Sequence, residues 1–237
     1  MVYLILGIML TLTTQVMSYE MDLSNVNVVN AVAADIQNEP RNLISLTFDD
    51  GPGAYTDSLL DFFYEYDVIA TFYVLGSAVE RRRETLIRMY NLGHEIGNHS
   101  WNHENLTELS AREVINTMRR TSDLIEELTG SRPLTARPPY GAVDSRVQTI
   151  LRILDNPIVL WSVDTRDWET REVEFVYYQI INGAENGAII LMHDIHRTTY
   201  EAVKKAIPTL TEMGFEFVTV SEILGEMNPG QIYRRGR

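Results

Sequence analysis

The chain alternates between short, wholly apolar runs and longer stretches whose apolar residues recur every three or four positions. Residues 43–48 (LISLTF), 69–76 (IATFYVLG), 94–100 (HEIGNHS), 134–141 (LTARPPYG), 158–165 (IVLWSVDT), 188–194 (AIILMHD) and 215–224 (FEFVTVSEIL) read as extended segments. Several are apolar on both faces, which suits a buried parallel strand. The fourth is held extended by its prolines. Between them, residues 58–66, 80–92, 110–128, 145–154, 175–184 and 201–213 carry apolar residues at helical spacing. The third of these helices opens on Ser110 with Glu113 three residues on, a capping-box pattern, and stops before Gly130. Gly93 and Gly187 close their connections, and Pro208 predicts a kink in the last helix.

About seven β/α units follow one another with no linker between them. This predicts the α/β class: a parallel sheet with helical cover, in a single domain spanning 41–227. Periodicity alone fits an open doubly wound sheet and a closed barrel equally. Ahead of the domain, residues 2–17 (VYLILGIMLTLTTQVM) are almost wholly apolar or threonine, and no Lys or Arg occurs before Arg41. This run is shorter than the about 20 apolar residues of a membrane span and lacks the basic start of a secretory signal. It reads as an export signal or anchor, which places the protein outside the cell or at its surface; the alternative is a mis-started chain. The acidic stretch 18–40 reads as a linker or an extra strand. Residues 228–237 read as a basic tail carrying Arg234, Arg235 and Arg237, attracted to a wall polymer or membrane.

Composition changes this picture little, but it excludes. The 237 residues are 45% hydrophobic and 22% charged, ordinary for a globular protein. A net charge of -13 argues against a nucleic-acid partner, and zero cysteines exclude disulfides and thiolate metal sites.

The chemistry lies at the ends of the strands. The first ends in Asp49-Asp50, the third in His99 with His103 after it, and the fourth segment in Pro139-Tyr140. The fifth ends in Asp164 and runs into Asp167-Trp168, and the sixth ends in His193-Asp194. In parallel α/β folds these ends share one face, where ligands bind. His99 and His103 form an H-x-x-x-H pair, which a helical turn would hold on one side. Adding a carboxylate makes a two-His, one-Asp set of the kind that binds a catalytic divalent ion with positions left open. A cation would also relieve the repulsion between Asp49 and Asp50. Among the others, His94 reads as structural, His196 as a solvated loop histidine rather than a rim residue, Trp101 and Trp161 as packing, and Arg81-Arg82-Arg83 as a solvated helix face. Asp194 either supports the metal ligands or caps the next segment.

Five motifs in this order resemble the polysaccharide deacetylases, the family 4 carbohydrate esterases with a NodB homology domain: TFDDGP (47–52), HSWNH (99–103), RPPYG (137–141), DTRDW (164–168) and LMHD (191–194). The resemblance spans about residues 42–225 and is nearest to the peptidoglycan N-acetylglucosamine deacetylases. It implies a distorted, incomplete (β/α)7-type barrel that removes N-acetyl groups from N-acetylglucosamine of a cell-wall polysaccharide. It further implies that Asp50, His99 and His103 bind Zn²⁺, Co²⁺ or another divalent ion. Asp49 would be the general base, paired with Arg137, and His193 the general acid, oriented by Asp167. The Tyr140 backbone N–H would steady the oxyanion, and Tyr140, Trp168 and Leu191 would wall the substrate pocket. The expected partner is an acetylated glycan, acted on by a monomer. Chitin deacetylation, acetylxylan esterase activity, a catalytically silent glycan-binding barrel and a metal phosphoesterase are the alternatives.

Overall fold

The structure, a computed structural model, describes residues 41–236. The expectations for the apolar segment 2–17 and the stretch 18–40 lie outside the described residues. No described helix is long and apolar enough to cross a membrane.

The centre of the fold is strand β1 (Asn42–Asp49), whose last six residues are all buried. Strand β6 (Ala188–His193) is buried throughout and pairs with it in parallel from Ile44↔Ala188 to Asp49↔His193. On the other edge of β1, strand β2 (Thr71–Val74) pairs at Thr47–Asp49, and β7 (Phe215–Phe217) pairs at Asn42–Ile44. Strand β3 (Glu95–Asn98) continues the sheet beside β2.

Closure comes from two short pieces and a bridge. The segment 158–165 is not one strand. It forms β4 (Ile158–Val159) and β5 (Val163–Asp164), with Trp161 between them. β5 pairs with β6. β4 meets β3 through Ala136, which bridges Asn98 on one side and Ile158 on the other. The pairing therefore runs from β1 through β2, β3, Ala136, the β4–β5 piece and β6 back to β1. The ring is irregular because Ala136 stands where a full strand would, as the flanking prolines dictate.

Helices cover the outside. They are α1 (Thr56–Glu65), α2 (Gly76–Arg81), α3 (Arg83–Asn91), α4 (Ala111–Thr129), α5 (Ser145–Ile153), α6 (Asp167–Thr170), α7 (Val173–Gly183) and α8 (Arg197–Glu212). α4 starts as its sequence predicts. The Ser110 backbone N–H donates to Glu113 at 2.8 Å, the Glu113 N–H donates to the Ser110 hydroxyl at 3.4 Å, and Gly130 ends the helix at φ 75°. Inside, Phe48 of β1 stacks on Phe72 of β2 at 5.2 Å and tilts against Phe63 of α1 at 5.8 Å.

Two sequence expectations need correction. The helix expected over 80–92 is two helices, broken where Arg82 adopts φ −139° and ψ 51°. The strand expected over 215–224 ends at Phe217. Thr219 and Glu222 then form a second capping box and turn the remainder into helix α9 (Val220–Leu224). Within the basic stretch, Ile232–Tyr233 form β8, which pairs in parallel with β4, and Arg235 is bonded to Glu185 and to the Asn186 carbonyl.

Candidate metal centre and active site

The register of the barrel gathers the chemistry before any side chain is considered. Asp49 and His193 are directly paired residues of adjacent strands, and His99 follows β3 with its N–H on the Val74 carbonyl of β2. Above these strand ends lies a cleft of about 370 Å³ lined by Asp49, Asp50, His99, His103, Tyr140 and His193, with Trp161, Asp164, Trp168 and Leu191 completing its wall.

Asp50, His99 and His103 each offer a ligand atom, all within 4.8 Å of one another. Asp50 Oδ1 lies 3.5 Å from His99 Nε2 and 3.4 Å from His103 Nε2. This oxygen is buried and makes no hydrogen bond among the described residues. An orphaned carboxylate oxygen facing two imidazole nitrogens is costly unless a cation stands between them. The tautomer agrees: His99 Nδ1 donates to the Arg137 carbonyl at 2.5 Å, which leaves Nε2 bare toward Asp50. The three residues therefore fit a divalent ion. His99 and His103 are not on a helical turn, as the H-x-x-x-H spacing suggested. They sit in a loop where Ser100 (φ 70°) and His103 (φ 61°) are left-handed, and that loop, not helical periodicity, turns both rings to one side.

Asp49 has a different environment from its neighbour. It is 3% exposed, and its Oδ1 accepts from Arg137 Nη1 at 2.8 Å. Arg137 is fully buried, and each of its three nitrogens has a partner. Nη1 also donates to Thr47 Oγ1 at 2.8 Å, Nε to the Val159 carbonyl and Nη2 to the Leu160 carbonyl, both at 3.1 Å, and the guanidinium lies over the Tyr73 ring. A buried ion pair of this kind is tolerable only where further hydrogen bonds of this sort satisfy it. Asp50 departs from β1 at φ 72°, so the two adjacent carboxylates point to different partners.

Across the cleft, His193 Nδ1 donates to Asp167 Oδ1 at 2.8 Å, and Thr199 donates to Asp167 Oδ2 at 2.6 Å. Burial pulls His193 toward its neutral form. The hydrogen bond and charge of Asp167, with the charges of Asp49 and Asp50, outweigh it and raise the imidazole pKa to about 9. Burial likewise opposes the charge on Asp167, yet hydrogen bonds from His193 and Thr199 hold its carboxyl below the ordinary range. The two carboxylate–cation units, Asp49–Arg137 and Asp167–His193, face each other across the cleft.

Tyr140 has φ 61° and an exposed ring set edge-on to His103 at 4.4 Å. Trp168 is half-exposed at the rim, and Leu191 is buried in the wall. His94 is structural, as expected: buried, it accepts the Ala70 N–H at 3.2 Å, and burial lowers its pKa to about 4. Trp101 packs under Arg120 and against Gly76. His196 is half-buried and bonded to Arg171. Trp161 packs, as expected, against two of the buried apolar clusters, and it also lines the cleft. Thr47 and Thr199 had no signal in the sequence. Asp194 is buried beneath the Asp50–Thr56 loop, where it accepts from Thr56 Oγ1, which itself accepts the Gly53 N–H. Its carboxyl leaves no room for a side chain at Gly51, where a Cβ would stand 2.4 Å from both oxygens.

The family model for polysaccharide deacetylase matches residues 36–159. The chain belongs to this family. It is 44% identical over 184 residues to the peptidoglycan-N-acetylglucosamine deacetylase PgdA of Listeria monocytogenes, covering 77% of this chain and 39% of that protein. It is 42% identical, with the same coverage, to the peptidoglycan-N-acetylmuramic acid deacetylase PdaC of Bacillus subtilis. The solved structure of PdaC superposes with a TM-score of 0.74 at 43% identity, covering 77% of this chain and 89% of that one. The chain thus spans about two fifths of the length of these curated relatives. The fold is the distorted (β/α)7 barrel of these deacetylase structures, which settles the choice that periodicity had left open.

Proposed function

We propose that this polysaccharide deacetylase hydrolyses N-acetyl groups on the N-acetylglucosamine residues of peptidoglycan, releasing acetate, and that it does so at the cell wall. The observation that carries the reading is the direct pairing of a carboxylate and an imidazole on adjacent strands, Asp49 and His193, in one cleft with the Asp50–His99–His103 set.

A divalent ion on Asp50, His99 and His103, Zn²⁺ being our assignment, supplies Lewis-acid activation of water and of the acetamide carbonyl. Asp49 takes a proton from the attacking water. Arg137 holds the accepting carboxylate in place and fixes which oxygen is free, because Oδ1 is occupied. Water oxygen bonds to the carbonyl carbon, and the Tyr140 backbone N–H faces the developing oxyanion; removal of one such donor costs about 2.7–4 kcal/mol elsewhere. His193, bonded to Asp167 through Nδ1, delivers its Nε2 proton to the amide nitrogen as the C–N bond breaks. The products are acetate and a free amino sugar. Trp161, Trp168 and Leu191 exclude water around the acetyl methyl, and the exposed Tyr140 ring offers a face to the sugar.

Acetate release from peptidoglycan and from N-acetylglucosamine oligomers by the Zn²⁺- or Co²⁺-loaded protein tests the proposal. Glycan binding with no release from any acetylated substrate would leave a silent binding barrel instead.

A further inference from the structure

A second groove, of about 560 Å³, opens beside the cleft and shares Asp50 and His103 with it. Its far wall carries Arg81, the last residue of α2, and Arg82, at the break between α2 and α3. Their neighbours are spoken for. Arg83 pairs with Glu127 at 2.8 Å, and Arg88 pairs with Asp57 and Asp61. Arg81 and Arg82 are exposed and enter no ion pair and no side-chain hydrogen bond among the described residues. Two adjacent unpaired guanidinium groups are unusual in a chain of net charge -13, which as a whole repels anions. Both line the groove while remaining exposed, and they stand at the break between α2 and α3.

We propose that Arg81 and Arg82 form an anion subsite that takes a carboxylate carried by the sugar next to the one being deacetylated. The inference rests on the deacetylase reading and narrows it: the preferred substrate is an anionic glycan, not a neutral one. The planar guanidinium fork matches a carboxylate in two-point contact. Because Asp50 and His103 border both cavities, a glycan with its N-acetyl group over the ligand set runs its adjoining residue into this groove. In peptidoglycan that residue is a muramic acid, whose lactyl ether bears a free carboxylate wherever the stem peptide has been removed. Chitin and xylan have no group there for the arginines to hold.

The test compares kcat/KM on two substrates: an N-acetylglucosamine pentamer, and an alternating N-acetylglucosamine–muramic acid strand stripped of its stem peptides so that the lactyl carboxylate is free. The expected result is a wild-type preference for the anionic strand, and a ratio of the two kcat/KM values that falls about tenfold in Arg81→Gln/Arg82→Gln. High salt should lower the ratio in the wild type and leave it unchanged in the double variant. Structural damage would lower both rates and leave the ratio alone, so an unchanged ratio overturns the proposal. Strands that keep their stem peptides form a third arm; a higher ratio on these assigns the pair to a peptide carboxylate rather than the lactyl one. Should no substrate release acetate, the deacetylase reading fails, and retention of the stripped strand on immobilised protein decides the subsite by itself. Retention by the wild type that is lost in the double variant supports it, and equal retention by both removes it.

Discussion

Asp167 holds His193 at two points: its Oδ1 accepts from the ring Nδ1 at 2.8 Å and its Oδ2 from the His193 backbone N–H at 2.7 Å. The carboxylate therefore sets both the position of the ring and its basicity. As the proposed general acid, His193 must carry its proton, so the alkaline limb of kcat/KM is expected to follow its pKa. With that value at about 9, activity persists through neutral pH and declines as pH rises toward it. Asp167→Asn should shift the limb down toward the ordinary imidazole value of about 6.5 and so cost about 30-fold at pH 8. pH–rate profiles of the two proteins check this; superimposable limbs would exclude Asp167 as the source of the shift.

The same group makes stability depend on pH. His193 is more basic in the folded chain than in the unfolded one, so its protonation stabilises the fold. That contribution is complete below about pH 6.5 and disappears as pH rises through about 9. His193→Gln should flatten this part of the stability curve, read by urea unfolding between those limits. A variant that loses stability in parallel with the wild type over that window would contradict it.

Ligand and base should separate cleanly by mutation. Asp49→Asn is expected to retain the divalent ion after dialysis while acetate release falls about 10²–10⁴-fold. His99→Ala and His103→Gln should lose both. His103 is partly exposed, so its replacement is the milder one for folding. Metal analysis alongside activity on each sample is the check, and a full complement of ion in both histidine variants would dismantle the ligand set.

Arg137→Met should be among the most damaging changes in the chain. It leaves Asp49 buried without its cation, and breaking such a pair costs about 3–5 kcal/mol. For a chain of this size that is a drop of roughly 10 °C in Tm. Differential scanning calorimetry reads it directly, and a Tm within a degree or two of wild type would show that Thr47 or water satisfies Asp49 instead.

Gly51→Ala tests the support under Asp50. The added methyl would stand 2.4 Å from both Asp194 carboxyl oxygens, so the Asp50–Thr56 loop must shift. Weaker metal binding is expected, with the fold kept. Competition with a chelating dye measures it, and wild-type affinity would mean that Asp194 moves aside at no cost to the ligand geometry.

Much of this architecture could be read from the chain. Wholly apolar runs such as 43–48 and 188–194 announce buried parallel strands, and their ends carry Asp49, Asp50 and His193 because that face of a parallel sheet is where side chains leave the core. What local pattern could not supply was the irregular half of the ring. Ile158–Val159 and Val163–Asp164 look like one strand in sequence, yet Trp161 leaves the line between them to wall the cleft. The Thr219–Glu222 capping box was missed because the preceding FEFV pattern favours a strand, and a cap overrides such a pattern only at its own residue. Thr47 and Thr199 serve the site through contacts across 90 and 32 residues of chain, and nothing in their immediate neighbours hints at that.

Arg137 follows Ala136, the residue that bridges β3 to β4, and its guanidinium spans from the Val159 and Leu160 carbonyls to Thr47 and Asp49 on β1. One side chain is thus at once the rivet of the weakest seam and the partner of the base. A chain whose seam has not sealed has no Arg137 guanidinium beside Asp49, so opening of the seam is expected to disable the proposed site before the rest of the ring melts.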